Sequence, residues 1–467
     1  MSMDILLVHS YCLDEDPHER AIMKPYPPLG ILYISSHLKA KGFSVQVFDS
    51  TFSTLECFQE FVQRERPPVV GFYANLMTRP NVVRSAAFCK GLGCTVIVGG
   101  PDSANYPEEY LNQGADIIVI GEGEQTVEEL LPHLARYGPT GMQAINGIVY
   151  REGDGELVTT SPREYMKNLD AQPNPDRGAI DINNYVRVWR EHHGMGSVSL
   201  ITARGCPYKC AWCSHAVYGY THRRCTPEHV ADELQLILET YKPDMVWYAD
   251  DVFTIHKGWF YRYADELRRR GIRIPFETIS REDRLSEDVI RTLAEIGCHR
   301  IWVGAESGSQ KILNDMNRRT KVERVEEVVL QLQRYGIEAG MFIMLGYDGE
   351  DMQDLQDTVD LLKRSNPNLF LTTVAYPIKN TPYYKAVQEK VIPLKSWNDG
   401  SDRDFTVAGR HSRRFYQMAT RWMVNEVAQH QERQKDRPNY PRLAKALVNA
   451  RIGRAGMLLT EREVEHG

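Results

Sequence analysis

The chain has 467 residues, 42% of them hydrophobic and 25% charged, with a formal net charge of −6. That is room for two or three domains with sizeable cores, and the acid excess argues against a general nucleic-acid binder, which is more often basic. Nine cysteines, odd in number and mostly isolated, suit a reducing compartment rather than a disulfide framework.

Met1–Leu6 reads as the start of a strand rather than a signal peptide, and no apolar run approaches the roughly 20 residues that span a bilayer, so the expected location is the cytoplasm. Residues 1–140 alternate short β-branched runs with helical stretches. Strands are expected at Ile5–Val8, Val45–Phe48, Val69–Phe72, Thr95–Val98 and Ile117–Ile120. Helices are expected at Leu29–Lys41, Leu55–Glu65, Val82–Lys90 and Thr126–Ala135. Continuous apolar strands separated by crossovers imply a parallel sheet covered on both faces. The expected fold is a doubly wound α/β domain, Rossmann-like or flavodoxin-like, which binds ligands beyond the carboxyl ends of its strands. Those ends carry Asn75, Gly99-Gly100-Pro101 and Gly121-Glu122-Gly123-Glu124. Glycine there lets a flat or long ligand approach the backbone; the plainer reading is a set of tight β–α turns. No G-x-G-x-x-G follows the first strand, and the charge of Glu124 would repel a pyrophosphate, which disfavours a dinucleotide. Residues 141–191 read as a β-hairpin around Glu152-Gly153-Asp154-Gly155-Glu156, followed by a linker at AQPNPDRGAI.

From residue 192 to 400 the alternation resumes. Strands are expected at Val198–Thr202, Met245–Ala249, Pro275–Ile279, Arg300–Gly304, Gly340–Leu345 and Leu369–Val374. Helices follow, including Pro227–Thr240, Ser286–Ile296 and Val322–Tyr335. Six β–α units make a partial (β/α)6 barrel, too few for a full eight-fold one. The loop after its first strand, RGCPYKCAWCSHAVYG, places Cys206, Cys210 and Cys213 in a C-x-x-x-C-x-x-C spacing. Thiolates hold iron–sulfur clusters, and three ligands for a four-iron cubane leave one iron open for chemistry. A zinc site closed by Cys225 or His215 is the rival, although the repeated C-x-x-C pairs of zinc knuckles are missing. Gly205 and Pro207 shape the turn, and Lys209 and Arg204 are expected to offset thiolate charge. Cys12, Cys57, Cys89, Cys94 and Cys298 read as packing residues, and Cys225 as packing near the barrel's first helix. Asp250, Asp251, Arg281, Glu306 and Ser307 follow successive strands. Each alone is more often a cap or a solvated charge, but together they converge on the cysteine loop.

Residues 401–467 hold 13 Lys and Arg against 8 Asp and Glu. Phe415, Met418, Trp422 and Ala428 share one helical face, so a helical C-terminal region is expected. It packs on the barrel's outer wall, or caps its mouth or touches a membrane surface.

The cysteine spacing, with Trp212 just before the last cysteine, resembles the signature of the radical S-adenosylmethionine (SAM) superfamily. The run from Lys24 to Asp49, with VGGPDSANYPEE and ADIIVIGEGEQT, is similar to cobalamin-binding domains fused ahead of such barrels. Together they resemble the branch that includes the anaerobic magnesium-protoporphyrin IX monomethyl ester cyclase. The resemblance implies a [4Fe-4S] cluster on Cys206, Cys210 and Cys213, with SAM chelating the open iron. Trp212, Asp250, Asp251, Arg281, Glu306 and Ser307 would bind SAM: an acid for its ammonium, Arg281 for its carboxylate, Glu306 for its ribose. Cobalamin would lie over Asn75, Gly99, Gly100, Pro101, Gly121, Glu122, Gly123 and Glu124. The D-x-H-x-x-G motif of histidine-ligated corrinoids is missing, and His9, His18, His37 and His133 lack its context, so no histidine ligand to cobalt is expected. Tyr347-Asp348 departs from the family's G-L-P-G-E. The implied activity is reductive cleavage of SAM and modification of an unactivated carbon of a small molecule, methylation first, then ring formation or oxidation. An external donor such as flavodoxin or ferredoxin would supply electrons; no residue stands out as a general acid or base. The alternatives are a vestigial first domain that binds no corrinoid, a non-catalytic cluster- and corrinoid-binding sensor, and a zinc-stabilised scaffold.

Overall fold

Runs of Val, Ile and Leu buried on both faces build the first sheet. β1 (Ile5–His9), β2 (Val45–Asp49), β3 (Val69–Tyr73), β4 (Thr95–Gly99) and β5 (Ile117–Val119) pair in parallel, in the order β2-β1-β3-β4-β5. This is the flavodoxin-like doubly wound order, seen in a computed structural model that describes residues 3–153 and 155–465. Successive residues of a strand face opposite ways. Leu6, Val8, Val70 and Val98 therefore pack in one apolar layer, and Ile5, Leu7, Val69 and Ile97 in the other. Burying each such side chain stabilises the fold by roughly 1.5–3 kcal/mol. β6 (Ile148–Arg151) and β7 (Leu157–Thr159) form an antiparallel hairpin that extends the sheet beyond β5. Asp154 of its turn lies outside the described residues, as do Met1 and Ser2 of the expected first strand.

After the hairpin, the stretch read as linker contains a helix, Ile182–His193. Asp181 caps it by accepting the Asn184 backbone N–H, and Ile182, Tyr185, Val186 and Trp189 are its buried face. The Trp189 indole donates to the Pro25 carbonyl at 2.7 Å.

The chain divides into two units. One comprises Met1–Pro207, Ser214–Trp247 and Lys395–Ser401; the other comprises Tyr208–Cys213, Tyr248–Leu394 and Asp402–Gly467. The remaining strands are β8 (Ser197–Leu200), β9 (Ala203–Arg204), β10 (Arg223–Arg224), β11 (Met245–Tyr248), β12 (Phe276–Ser280), β13 (Cys298–Glu306), β14 (Glu338–Leu345) and β15 (Leu369–Val374). The second large sheet has the order β15-β14-β13-β12-β11-β8, with parallel registers through β12, β13, β14 and β15. Six strands followed by helices such as Pro227–Tyr241, Lys257–Arg270, Val322–Arg334 and Met352–Ser365 give the partial barrel that the sequence predicts. The small β9–β10 ladder, Arg204 opposite Arg223, closes the base of the loop that carries the cysteines.

Two helices, Arg413–Arg433 and Tyr440–Thr460, form the C-terminal region. The buried face of the first is Phe415, Ala419, Trp422, Met423 and Val427. Met418 instead lies against Gly456 of the second helix, a partner that the periodicity of the first could not reveal. Tyr416 packs against Gly346 in the loop after β14, and Glu426 pairs with Lys363 of the helix Met352–Ser365 at 2.6 Å. The helix thus covers both a strand-end loop and the outer wall of its own unit. Among the described residues, no helix is long and apolar enough to cross a membrane.

Candidate active site

The loop between β9 and β10 begins with a residue that must be glycine. Gly205 has φ +84°, and a Cβ there would meet the Thr221 carbonyl oxygen at 2.5 Å. The segment Tyr208–Cys213 is then fixed by backbone contacts within its own unit. Ala211 donates its N–H to Met316 O at 2.9 Å and accepts from Tyr383 N–H at 2.9 Å, and Asn317 Nδ2 donates to Lys209 O at 2.6 Å. Trp212 lies against the apolar group Met316, Met344, Tyr347 and Tyr383. Cys206, Cys210 and Cys213 are half-buried and outside any disulfide.

Arg281, at the end of β12, reaches this loop. Its guanidinium stacks on the Tyr208 ring with its central carbon 3.9 Å from the centroid, and Nη1 lies 3.9 Å from Cys210 Sγ. Nε donates to Asp283 at 2.9 Å and Nη2 to the Arg318 carbonyl at 3.0 Å. Burial pushes the Cys210 thiol up, and the Arg281 charge pulls it back. Arg281 therefore serves Cys210 in the way the sequence suggests for Arg204. Arg204 itself is committed elsewhere: it binds Glu122 at 2.7 Å and Glu124 at 2.6 Å, all three side chains being buried.

The other strand ends of the second unit present carboxylates. Asp250 is buried and Asp251 exposed. Glu306 sits at a register shift between β13 and β14, with a positive φ of +62°. A bulge with strained backbone re-aims a side chain at a strand end. Gly304 leaves the space it occupies, since a Cβ there would meet Glu306 Oε1 at 2.7 Å. Burial, reinforced by Glu282, pushes the Glu306 carboxyl up to about 8. Ser307 is fully buried; its Oγ accepts the Ser309 N–H at 3.1 Å and lies 3.3 Å from Thr358 Oγ1. Its hydroxyl thus supports the turn beside Glu306.

Sequence reasoning passed over Arg318, Glu282, Tyr208 and Glu350. Arg318 donates to Glu282 at 3.1 Å and to the Gly304 carbonyl at 2.6 Å, pinning the end of β13. Glu350 accepts the Gly346 N–H at 2.6 Å, while its other oxygen is buried without a partner among the described residues. Burial raises its carboxyl to about 8. The last residue of MLGYDGE was a signal for it; Arg318, after a short helix, offered none.

These two acids set an expected pH dependence. Their folded pKa values lie above the unfolded value of 4.5, so the folded chain holds protons that the unfolded chain releases. Their contribution is complete below the unfolded pKa and is lost as pH rises through about 8. Urea-unfolding free energies are expected to fall from about pH 5 to about pH 8, by up to about 1.4 kcal/mol per pH unit per group. Glu306→Gln combined with Glu350→Gln should flatten the slope. An unchanged slope in that double variant would show that neither acid is protonated in the fold.

In the first unit, Asn75 Oδ1 accepts the N–H groups of Met77 and Thr78 at 2.8 and 3.1 Å, a turn that leads into the helix Arg79–Gly91. Gly100 has φ +113°, and a Cβ there would strike the Ala74 carbonyl, so local packing alone demands glycine. Gly99, Gly100, Pro101, Gly121 and Gly123 are half-buried, whereas Glu122 and Glu124 are buried against Arg204. His9 is held by Asp49 at 3.2 Å, and His37 by Gln172 at 3.1 Å and Glu128 at 2.7 Å. Those two imidazoles are engaged by protein partners.

Residues 21–131 match the B12 binding domain, and residues 200–362 match the Radical SAM superfamily. The chain carries both domains. The first match spans the strand ends of the first sheet from Asn75 to Glu124, and the second spans the cysteine loop through Glu350. An uncharacterized methyltransferase of Pyrococcus horikoshii is 24% identical, over 85% of this chain and 86% of that protein. The anaerobic magnesium-protoporphyrin IX monomethyl ester cyclase of Rubrivivax gelatinosus is 25% identical, over 78% of this chain and 67% of its own length. The radical S-adenosylmethionine methyltransferase TsrM of Kitasatospora setae, solved with cobalamin and a [4Fe-4S] cluster, has the same fold. Its TM-score is 0.73 at 15% identity, over 97% of this chain and all of that one.

Proposed function

We propose that this chain is a cobalamin-dependent radical SAM enzyme that methylates an unactivated carbon of a small organic molecule. The observation that carries the reading is the joining, in one chain, of a B12-binding domain to the three-thiol loop of a radical SAM domain. The donor set suits the cluster: Cys206, Cys210 and Cys213 are thiols on a backbone-anchored loop, and Arg281 brings a cation to Cys210. When bound, the cluster supplies the electron for reductive cleavage of SAM, and cobalamin supplies the methyl group.

The chain's own side chains position and screen. In this reading Asp250 receives the SAM ammonium, which needs a carboxylate once it is desolvated. Glu306, protonated at neutral pH by burial, can both donate to and accept from a ribose hydroxyl. Most of the Arg281 fork is already used by Asp283, Arg318 and Cys210, so its part is to hold Cys210 and screen thiolate charge rather than to clamp a carboxylate bidentately. Trp212 packs the loop down and excludes water behind it. In this reading the half-buried backbone at Gly99–Pro101, Gly121 and Gly123 faces the corrin, with Glu122 and Glu124 serving as scaffold under Arg204.

Methylation is preferred to ring closure because the Pyrococcus relative and the Kitasatospora structure are both named as methyltransferases. The reaction requires a one-electron donor of the flavodoxin or ferredoxin class and a reducing cytoplasm. Anaerobically purified protein is expected to take up hydroxocobalamin stoichiometrically and, once reduced with SAM, to release 5′-deoxyadenosine. Release without uptake would point to a vestigial first domain; uptake without release would point to a sensor.

A further inference from the structure

A second group of metal-ligating side chains lies within the first unit, and it shares no residue with the three-cysteine loop. Asp170 belongs to a short 3-10 turn, Leu169–Ala171, in the segment that follows the hairpin. Its Oδ1 accepts the backbone N–H of Thr226 at 2.8 Å. Thr226 caps the helix Pro227–Tyr241, with its hydroxyl accepting the His229 backbone N–H at 3.3 Å. Cys225 immediately precedes that cap and donates its own N–H to the Thr202 carbonyl at 3.0 Å. Two local hydrogen bonds and one helix start thus bring a carboxylate, a thiol and an imidazole together.

We propose that Asp170, Cys225 and His229 bind a divalent cation of the zinc class, because their three ligand atoms all lie within 4.8 Å of one another. Zinc bonds of about 2.0–2.3 Å in a tetrahedron place donors about 3.3–3.7 Å apart. The three side chains would close on the ion from separations of at most 4.8 Å. The donor chemistry selects the metal: magnesium and calcium take oxygen ligands, whereas a thiolate beside an imidazole suits zinc. The Thr226 N–H on one oxygen of Asp170 orients the carboxylate and leaves the other for the ion, as outer partners of metal ligands do.

Three protein ligands leave a fourth position open. Cys225 and His229 also line a small depression with Tyr33, Gln172, Thr202 and Arg204. Arg204 does not oppose a cation there, because Glu122 and Glu124 neutralise it. The ion would hold the connector to the start of the helix, next to the β9–β10 ladder at the base of the cysteine loop. Its role is to position that loop from outside, whatever reaction the loop serves.

The test uses tag-free, full-length protein equilibrated anaerobically with zinc chloride and desalted, with zinc and iron counted by mass spectrometry. Wild type and the Cys206→Ala/Cys210→Ala/Cys213→Ala variant are both expected to retain stoichiometric zinc. Cys225→Ser/His229→Ala should lose it while keeping its iron and its circular dichroism. Asp170→Asn, on a half-exposed turn, should weaken zinc binding at least about tenfold. Cobalt(II) added to the triple variant should give a thiolate-to-cobalt charge-transfer band that vanishes once Cys225 is also changed. Zinc that disappears with the three loop cysteines, or that survives loss of Cys225 and His229, would overturn the proposal.

Discussion

Cys213→Ala is expected to abolish cluster assembly and SAM cleavage while leaving the fold intact. A cubane held by three thiolates cannot be kept by two, so iron should drop from about four atoms per chain to background. 5′-Deoxyadenosine release should then fall below detection. The fold should survive because the loop's shape does not depend on this sulfur. Ala211 is anchored at both its N–H and its carbonyl, Asn317 holds Lys209, and Trp212 packs on the apolar cluster that includes Met316 and Tyr383. Cys213 itself is half-buried, so truncating it opens no sealed cavity. Iron content, product release and circular dichroism on the same sample separate ligand loss from unfolding. Wild-type product release from this variant would refute the assignment of the loop.

The sequence made both sheets legible because each rests on a local signal: β-branched runs of strand length, separated by helical periodicity. β2, β4 and β15 start where those runs start, and the helix Leu55–Glu65 has its expected bounds. The helix Ile182–His193 was hidden by the Pro/Asn/Asp-rich run just ahead of it, whose turn chemistry dominated the reading. At the site, residue types could be read but their partners could not. Arg204 and Lys209 looked like counter-charges for the thiolates because they adjoin them in sequence. Arg204 instead meets acids some 80 positions earlier, and the cation on Cys210 comes from Arg281, 71 positions later. Glu306 was legible as an acid at a strand end; its raised carboxyl follows from burial and from Glu282, which no spacing rule reports.

Arg204→Met is expected to destabilise the chain by about 3–5 kcal/mol, the usual cost of removing one partner from a buried ion pair. The arginine is buried, and the cost of burying its charge is outweighed by Glu124 and Glu122, which hold it firmly charged. The two acids differ in what they would keep. Glu122 retains Arg223 at 2.8 Å and the Met166 N–H at 2.8 Å. Glu124 heads the helix Glu124–Tyr137, where the helix dipole offsets about 0.3–1 kcal/mol, much less than a lost guanidinium. Most of the penalty therefore falls on Glu124, and adding Glu124→Gln to Arg204→Met should recover part of it. Urea unfolding of the four members of this cycle measures the coupling. A single-variant loss below about 1 kcal/mol would mean that water reaches these carboxylates and that the pair is no more than a surface one. Because Arg204 stands in β9, two residues before Cys206, the same variant should also load iron poorly, whereas the Glu124→Gln rescue should restore both properties together. Stability recovered without iron would separate the loop's geometry from the ion pair beneath it.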